Sequence, residues 1–172
     1  MRESGLRLGQ RFLQGRGRFF IRPIALTDKK QPSFLCRWAQ HAHYTASTCV
    51  DFTPQNAGEL AGIAVFQDEK GHYILGKGMT RKGDCELVVI RSDKEGSQVV
   101  ARQPLNRKWQ KGKIWLRIEC HGASYTFAYS RNGKKWATLG TPQEGHIITT
   151  QYAGGFTGSA IGLYATTAEK AL

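Results

Sequence analysis

Period-two alternation limits most strongly what this chain can form. Along Ile114, Leu116, Ile118 and Cys120, apolar side chains alternate with Trp115, Arg117 and Glu119, and Tyr125, Phe127 and Tyr129 repeat the pattern. Successive side chains of a strand point to opposite faces, so both segments predict strands with one buried face. Short segments rich in aromatic or β-branched residues recur at Arg18–Arg22, Phe34–Trp38, Tyr44–Phe52, Ala61–Gln67 and His72–Lys77. They continue at Cys85–Arg91, Gln98–Gln103, Ile114–Cys120, Tyr125–Ser130, Trp136–Leu139 and Ala160–Ala165. Turn residues separate them, and no segment keeps a helical period over three turns. The prediction is an all-β chain, a sandwich or a barrel.

The turns carry their own signals. Ser130-Arg131-Asn132-Gly133-Lys134 holds Asn-Gly, the dipeptide that best tolerates positive φ at both central positions, and predicts a hairpin over Ser124–Leu139. Asp68-Glu69-Lys70-Gly71 and Asp93-Lys94-Glu95-Gly96 read as two more hairpin turns, and Gln10–Gly17 and Thr27–Pro32 as loops.

A length of 172 residues suits one domain over 1–172, and 40% hydrophobic residues with 20 Gly and 5 Pro suit a packed core with many turns. Residues 1–10 carry charges with no apolar stretch behind them, unlike a signal peptide, which leaves the compartment open. No apolar run is long enough to span a membrane, so none is expected as a partner. The formal charge of +12 would attract phosphates, acidic polysaccharides or an acidic protein surface. The basic residues are scattered and no zinc-finger or RNA-recognition signature accompanies them, so nucleic acid is not the expected partner. Cys36, Cys49, Cys85 and Cys120 form no Cys-x-x-Cys pair and are expected to be free, mostly buried thiols.

Candidate chemistry is sparse. Asp84 and Glu86 have the i, i+2 spacing of carboxylates on one strand face, but they begin a strand after a turn and no third acid stands near. His41 and His43, with Cys36 or Cys49, would be the start of a zinc site, yet the remaining ligands are missing from motif spacing. No P-loop, nucleophile elbow or dinucleotide fingerprint occurs. The reading is therefore no catalytic residue, no metal and no cofactor. Of Trp38, Trp109, Trp115 and Trp136, most are expected in the core. Trp109, between Lys108 and Gln110, is the one expected to be exposed and the candidate for stacking on a sugar ring.

Several stretches, in order, resemble one known family. Phe34-Leu35-Cys36-Arg37-Trp38-Ala39-Gln40-His41 is similar to a segment ending Arg-Arg-Gln-Gln-His, differing at Trp38 and Ala39. Thr45-Ala46-Ser47-Thr48 leading to Asp51-Phe52-Thr53-Pro54, and Glu59 to Gln67 followed by His72-Tyr73, resemble its next strands. So do Phe127-Ala128-Tyr129-Ser130, Gly133-Lys134, Trp136 and Leu139-Gly140. Ala153-Gly154-Gly155-Phe156-Thr157-Gly158 and Ile161-Gly162-Leu163-Tyr164-Ala165 are close to its ending. The family is the C-terminal domain of glycoside hydrolase family 43 β-xylosidases.

The resemblance implies a concanavalin A-like jelly roll of two antiparallel sheets. It also implies a non-catalytic role in which the sandwich packs on a five-bladed catalytic propeller. In the two-domain enzymes the Gly-Gly-Phe-Thr-Gly loop closes one side of the substrate pocket, and Phe156 is the matching position. A xylo- or arabino-oligosaccharide is the small-molecule partner so implied. Family members continue to a final strand resembling ADFDWFEY, which this sequence lacks, so a fragment of a longer glycosidase or an exposed sheet edge is expected. A free-standing lectin-like carbohydrate-binding module and a protein-interaction sandwich are the competing readings.

Overall fold

The computed structural model describes residues 3–8, 15–154 and 158–168. The strands run β1 (Glu3–Leu8), β2 (Gly15–Phe20), β3 (Ser33–Trp38), β4 (His43–Asp51), β5 (Leu60–Asp68), β6 (Gly71–Met79) and β7 (Cys85–Asp93). They continue with β8 (Gly96–Pro104), β9 (Lys113–His121), β10 (Ser124–Ser130), β11 (Ala137–Thr138), β12 (Gln143–Glu144) and β13 (Ala160–Thr166). Single helical turns, α1 (Arg107–Gln110) and α2 (Thr150–Ala153), sit in connections.

The strands form two antiparallel sheets. One has the order β11-β10-β9-β4-β1-β2, with β12 also on β10; the other runs β3-β13-β5-β6-β7-β8. Alternation decides which side chains lie between them. Ile114, Leu116, Ile118 and Cys120 from β9 and Tyr125 and Phe127 from β10 point inward. They meet Ile63 and Val65, Tyr73 and Leu75, Leu87 and Val89, and Ile161 and Leu163 from the opposite sheet. A smaller cluster, with Ala64, Ile74, Val88, Ile90 and Tyr164, covers the outer face of the second sheet under Leu26. That sheet is thus apolar on both faces, which explains the nearly unbroken burial of β5, β6 and β7.

The two short hairpins form where the turn residues predict. Asp68 pairs with Gly71 and Asp93 with Gly96. In each, the leading Asp accepts a backbone N–H two residues on, from Lys70 and from Glu95.

Three expectations need correction. Gly15–Gly17 belongs to β2 rather than to a loop. In the Asn132-Gly133 turn only Gly133 takes positive φ, at 72°, and Asn132 does not. Asn132 instead accepts the backbone N–H groups of Lys134 and Lys135, while Ser130 Oγ accepts that of Gly133. The side chains build a wider loop than a two-residue turn. Strands β1 and β12 form where the sequence predicts no strand. The free thiols Cys49, Cys85 and Cys120 are buried as expected, and Cys36 is exposed on β3.

Candidate functional site

The connection between α2 and β13 carries Phe156, which lies outside the described residues. Its two anchors are described. Thr149 caps α2 by accepting the backbone N–H of Tyr152, and Gly154 ends the helix in the left-handed conformation. Ile147 and Ile148, just before α2, are buried in the main core. Tyr152 locks the turn sideways, because its hydroxyl accepts the Lys94 N–H at 2.8 Å and its ring lies under the Lys94 ammonium at 4.4 Å. On the far side, Ser159 accepts the N–H of Ala39 at 2.8 Å, and β13 starts at Ala160, in register with Trp38. The described segment that follows residues 155–157 therefore lies beside the end of β3.

Along that strand the surface is unusual. Phe20, Leu35 and Trp38 are the exposed large hydrophobics among the described residues, at 55%, 48% and 60%, and they sit on β2 and β3. The reason is topological. β3 is the edge of its sheet, so Leu35 and Arg37, which share the inward face with Ile161 and Leu163, reach a place where the sheets gape. The resulting groove has a volume of about 540 Å³ and is lined by Leu35, Trp38, Ala46, Thr48 and Ile161, among others.

The tryptophans are arranged otherwise than expected. Trp38, not Trp109, is the exposed one. Trp109 is half-buried, with its ring edge-on to Tyr129 at 5.8 Å and the Arg131 guanidinium 5.5 Å away over its face. Trp115 lies beneath Gly133, and Trp136 lies under the Arg117 guanidinium at 3.6 Å. None of the four belongs to the buried core.

Other sequence candidates do not converge. Asp84 is in an exposed turn, where its N–H donates to Thr80 Oγ1. Glu86 is buried and committed to a salt bridge with Arg102. Burial raises the Glu86 pKa, and Arg102 opposes that rise. His41 lies in the connection before β4, while His43 faces His121 across the β4–β9 pair at 6.4 Å between ring centres. Cys36 is on the other sheet from Cys49. Among the described residues no three His, Cys, Asp or Glu side chains are grouped as metal ligands would be. A feature that pattern did not show is Lys77, fully buried on the inner face of β6, with Nζ donating to Gly112 O at 3.4 Å.

Residues 9–171 match the family described as the β-xylosidase C-terminal concanavalin A-like domain. The chain belongs to this family. Among its relatives, a Bacteroides ovatus non-reducing end α-L-arabinofuranosidase, BoGH43B, is 32% identical over 146 residues, covering 83% of this chain and 26% of the relative. A Bacillus subtilis β-xylosidase is 27% identical over 146 residues, with coverage of 81% and 27%. Among solved structures, the Bacteroides ovatus xyloglucan PUL GH43B superimposes with a TM-score of 0.77 at 29% identity, over 87% of this chain and 29% of that one. This concanavalin A-like domain thus spans about a quarter of the length of the curated relatives it matches.

Proposed function

We propose that the chain is the non-catalytic accessory sandwich of a family 43 glycoside hydrolase of the β-xylosidase or α-L-arabinofuranosidase type. It seats against a five-bladed catalytic propeller and helps to close that domain's substrate pocket. The observation that carries this reading is the apolar edge of Phe20, Leu35 and Trp38, which ends beside the connection that bears Phe156. An exposed strip of large apolar side chains on an otherwise polar domain marks a contact surface. The matched relatives are about three times as long as this chain, which leaves room for such a partner domain.

In this reading Phe156 projects from its loop over the neighbouring pocket and contributes one apolar contact to a xyloside or arabinofuranoside. The test is Phe156→Ala in the enzyme that carries both domains. It should lower kcat/KM on an aryl glycoside by the worth of one stacking contact, about 0.5–3 kcal/mol. The melting temperature of the sandwich should stay where it was. Unchanged kinetics together with a sandwich destabilised by several kcal/mol would make Phe156 a core residue and defeat the reading. The sandwich by itself should not hydrolyse aryl xylosides. Hydrolysis abolished by Asp84→Ala or Glu86→Ala would overturn the non-catalytic assignment.

A further inference from the structure

The charge of this domain is not spread evenly over its two ends. Three turns meet at the end away from the 154–158 connection. Residues 80–84 join β6 to β7, residues 105–112 join β8 to β9, and residues 131–136 join β10 to β11. Their contacts tie them together. Lys77 donates to Gly112 O, Arg131 donates to Lys113 O at 3.4 Å, and Leu105 N donates to Cys85 O at 2.9 Å.

Exposed cations crowd this end. Arg81 and Lys82 stand on the first turn, and Arg107, Lys108 and Lys111 stand on and beside α1. Lys113 opens β9, and Lys134 and Lys135 follow Arg131 on the third turn. Asp51 and Asp84 are the exposed carboxylates there among the described residues. Glu59 and Glu86, also at this end, are buried, and Glu86 is held by Arg102. The opposite end carries Asp28, Asp68, Glu69, Asp93, Glu95 and Glu144 against Lys29, Lys30, Lys70, Arg91 and Lys94, so the two signs nearly balance there. There Arg91 is already tied to Asp93 and Glu144, both at 2.9 Å. Among the described residues, the exposed cations of this pole thus outnumber its exposed carboxylates by a wide margin, which they do not at the opposite end.

Arg131 gives this pole a directional element. Trp109 lies under its guanidinium, and one N–H is used on Lys113 O. The remainder of its planar fork can meet a carboxylate side-on, which an ammonium group cannot do. Around it the cations stand in short groups on three separate turns, rather than along one helix or strand that would present them as a track to a phosphate backbone.

We infer that this basic pole holds a carboxylate-bearing polysaccharide, a plant-wall glycan with uronic acid side groups, with Arg131 as its directional anchor. The inference rests on the accessory-domain reading, in which the parent enzyme is of the β-xylosidase or α-L-arabinofuranosidase type. It adds a second working surface. The apolar β3 edge meets the catalytic domain, and the basic end keeps the enzyme on the acidic polymer.

The probe is 4-O-methylglucuronoxylan, compared with the same polymer after chemical reduction of its carboxyl groups, by affinity electrophoresis and calorimetry on the full chain. The acidic polymer should retard the protein, more weakly as salt rises, and the reduced polymer should not. Replacing Arg131, Lys134 and Lys135 by Gln should weaken binding about tenfold. A second set, Arg107→Gln with Lys108→Gln and Lys111→Gln, should act in the same direction and guards against a fold defect in the first. Lys70→Gln with Lys94→Gln should leave binding unchanged. The inference fails if both polymers bind equally, if neither binds, or if the two ends are equally sensitive. It also fails if single-stranded RNA binds more tightly than glucuronoxylan. The Phe156→Ala kinetics on a small aryl glycoside do not involve this pole, so they separate failure here from failure of the accessory-domain reading.

Discussion

Replacing Lys77 by Met should stabilise the domain. The side chain is fully buried on the inner face of β6, two residues after Leu75, and opposite Leu87 on β7. Its head group has one long hydrogen bond, to Gly112 O at 3.4 Å. Loss of water lowers its pKa from the ordinary lysine value, and Arg131 adds to that, while the Cys85 thiol and Asp51 work against it. Holding an ammonium group there costs several kcal/mol, of which the distant opposite charges return only part. Methionine fills a similar unbranched volume but strands the Gly112 carbonyl, at about 1 kcal/mol. The balance is a gain of about 1–2 kcal/mol, or a rise of about 2–8 °C in Tm for a chain of this size.

The pH dependence supplies a second readout. With a lowered folded-state pKa, the folded chain binds fewer protons than the unfolded chain as pH climbs toward the ordinary lysine value. The Lys77 contribution to stability therefore rises with pH. The advantage of Lys77→Met, taken from urea melts of both proteins, should be largest near neutrality and shrink as the solution becomes alkaline. Comparing the two proteins cancels the opposite trend of the buried tyrosines, whose pKa values lie high. A Met variant less stable than the parent at pH 7, or an advantage that grows with pH, would refute the argument.

Two further outcomes follow from single side chains. His72 is buried, its pKa lowered to about 4 mainly by loss of water, although its Nδ1 donates to the Asp68 carbonyl. Folding stability should therefore fall as pH drops from about 6.5 toward 4, by up to about 3 kcal/mol, and His72→Gln should remove that slope in urea melts. A Cβ at Gly162 would collide with the backbone of Leu35 and Cys36 on β3, so Gly162→Ala should push β3 off β13. Amide exchange at residues 33–38 should then accelerate while β9 and β10 keep their protection, and uniform protection would show that the strand absorbs the methyl group.

Much of the sandwich was legible because alternation is a local property. The buried face of β9 and the Asp68 and Asp93 turns follow from residue order alone. What stayed hidden depends on who pairs with whom. Trp38 looks like a core residue until β3 proves to be a sheet edge, and Trp109 looks exposed until α1 folds its ring against Tyr129. The buried Lys77 sits in an apolar strand whose only warning was one charge on the inward register. The basic pole was visible as net charge, but its concentration needed three turns, distant in sequence, to be brought to one end. The Asn132 turn went astray because side-chain hydrogen bonds, rather than backbone φ preference, shape it.

In the proposed function, the apolar edge of Phe20, Leu35 and Trp38 is the docking surface for a catalytic domain. The direct measurement is calorimetric titration of this chain with a separately expressed family 43 catalytic propeller, the partner proposed for it. Trp38→Ser and Leu35→Ser should each weaken association by about tenfold or more, as exposed apolar anchors do, while Arg131→Gln leaves it unchanged. Absence of any association, or an affinity indifferent to Trp38 and Leu35, would contradict it.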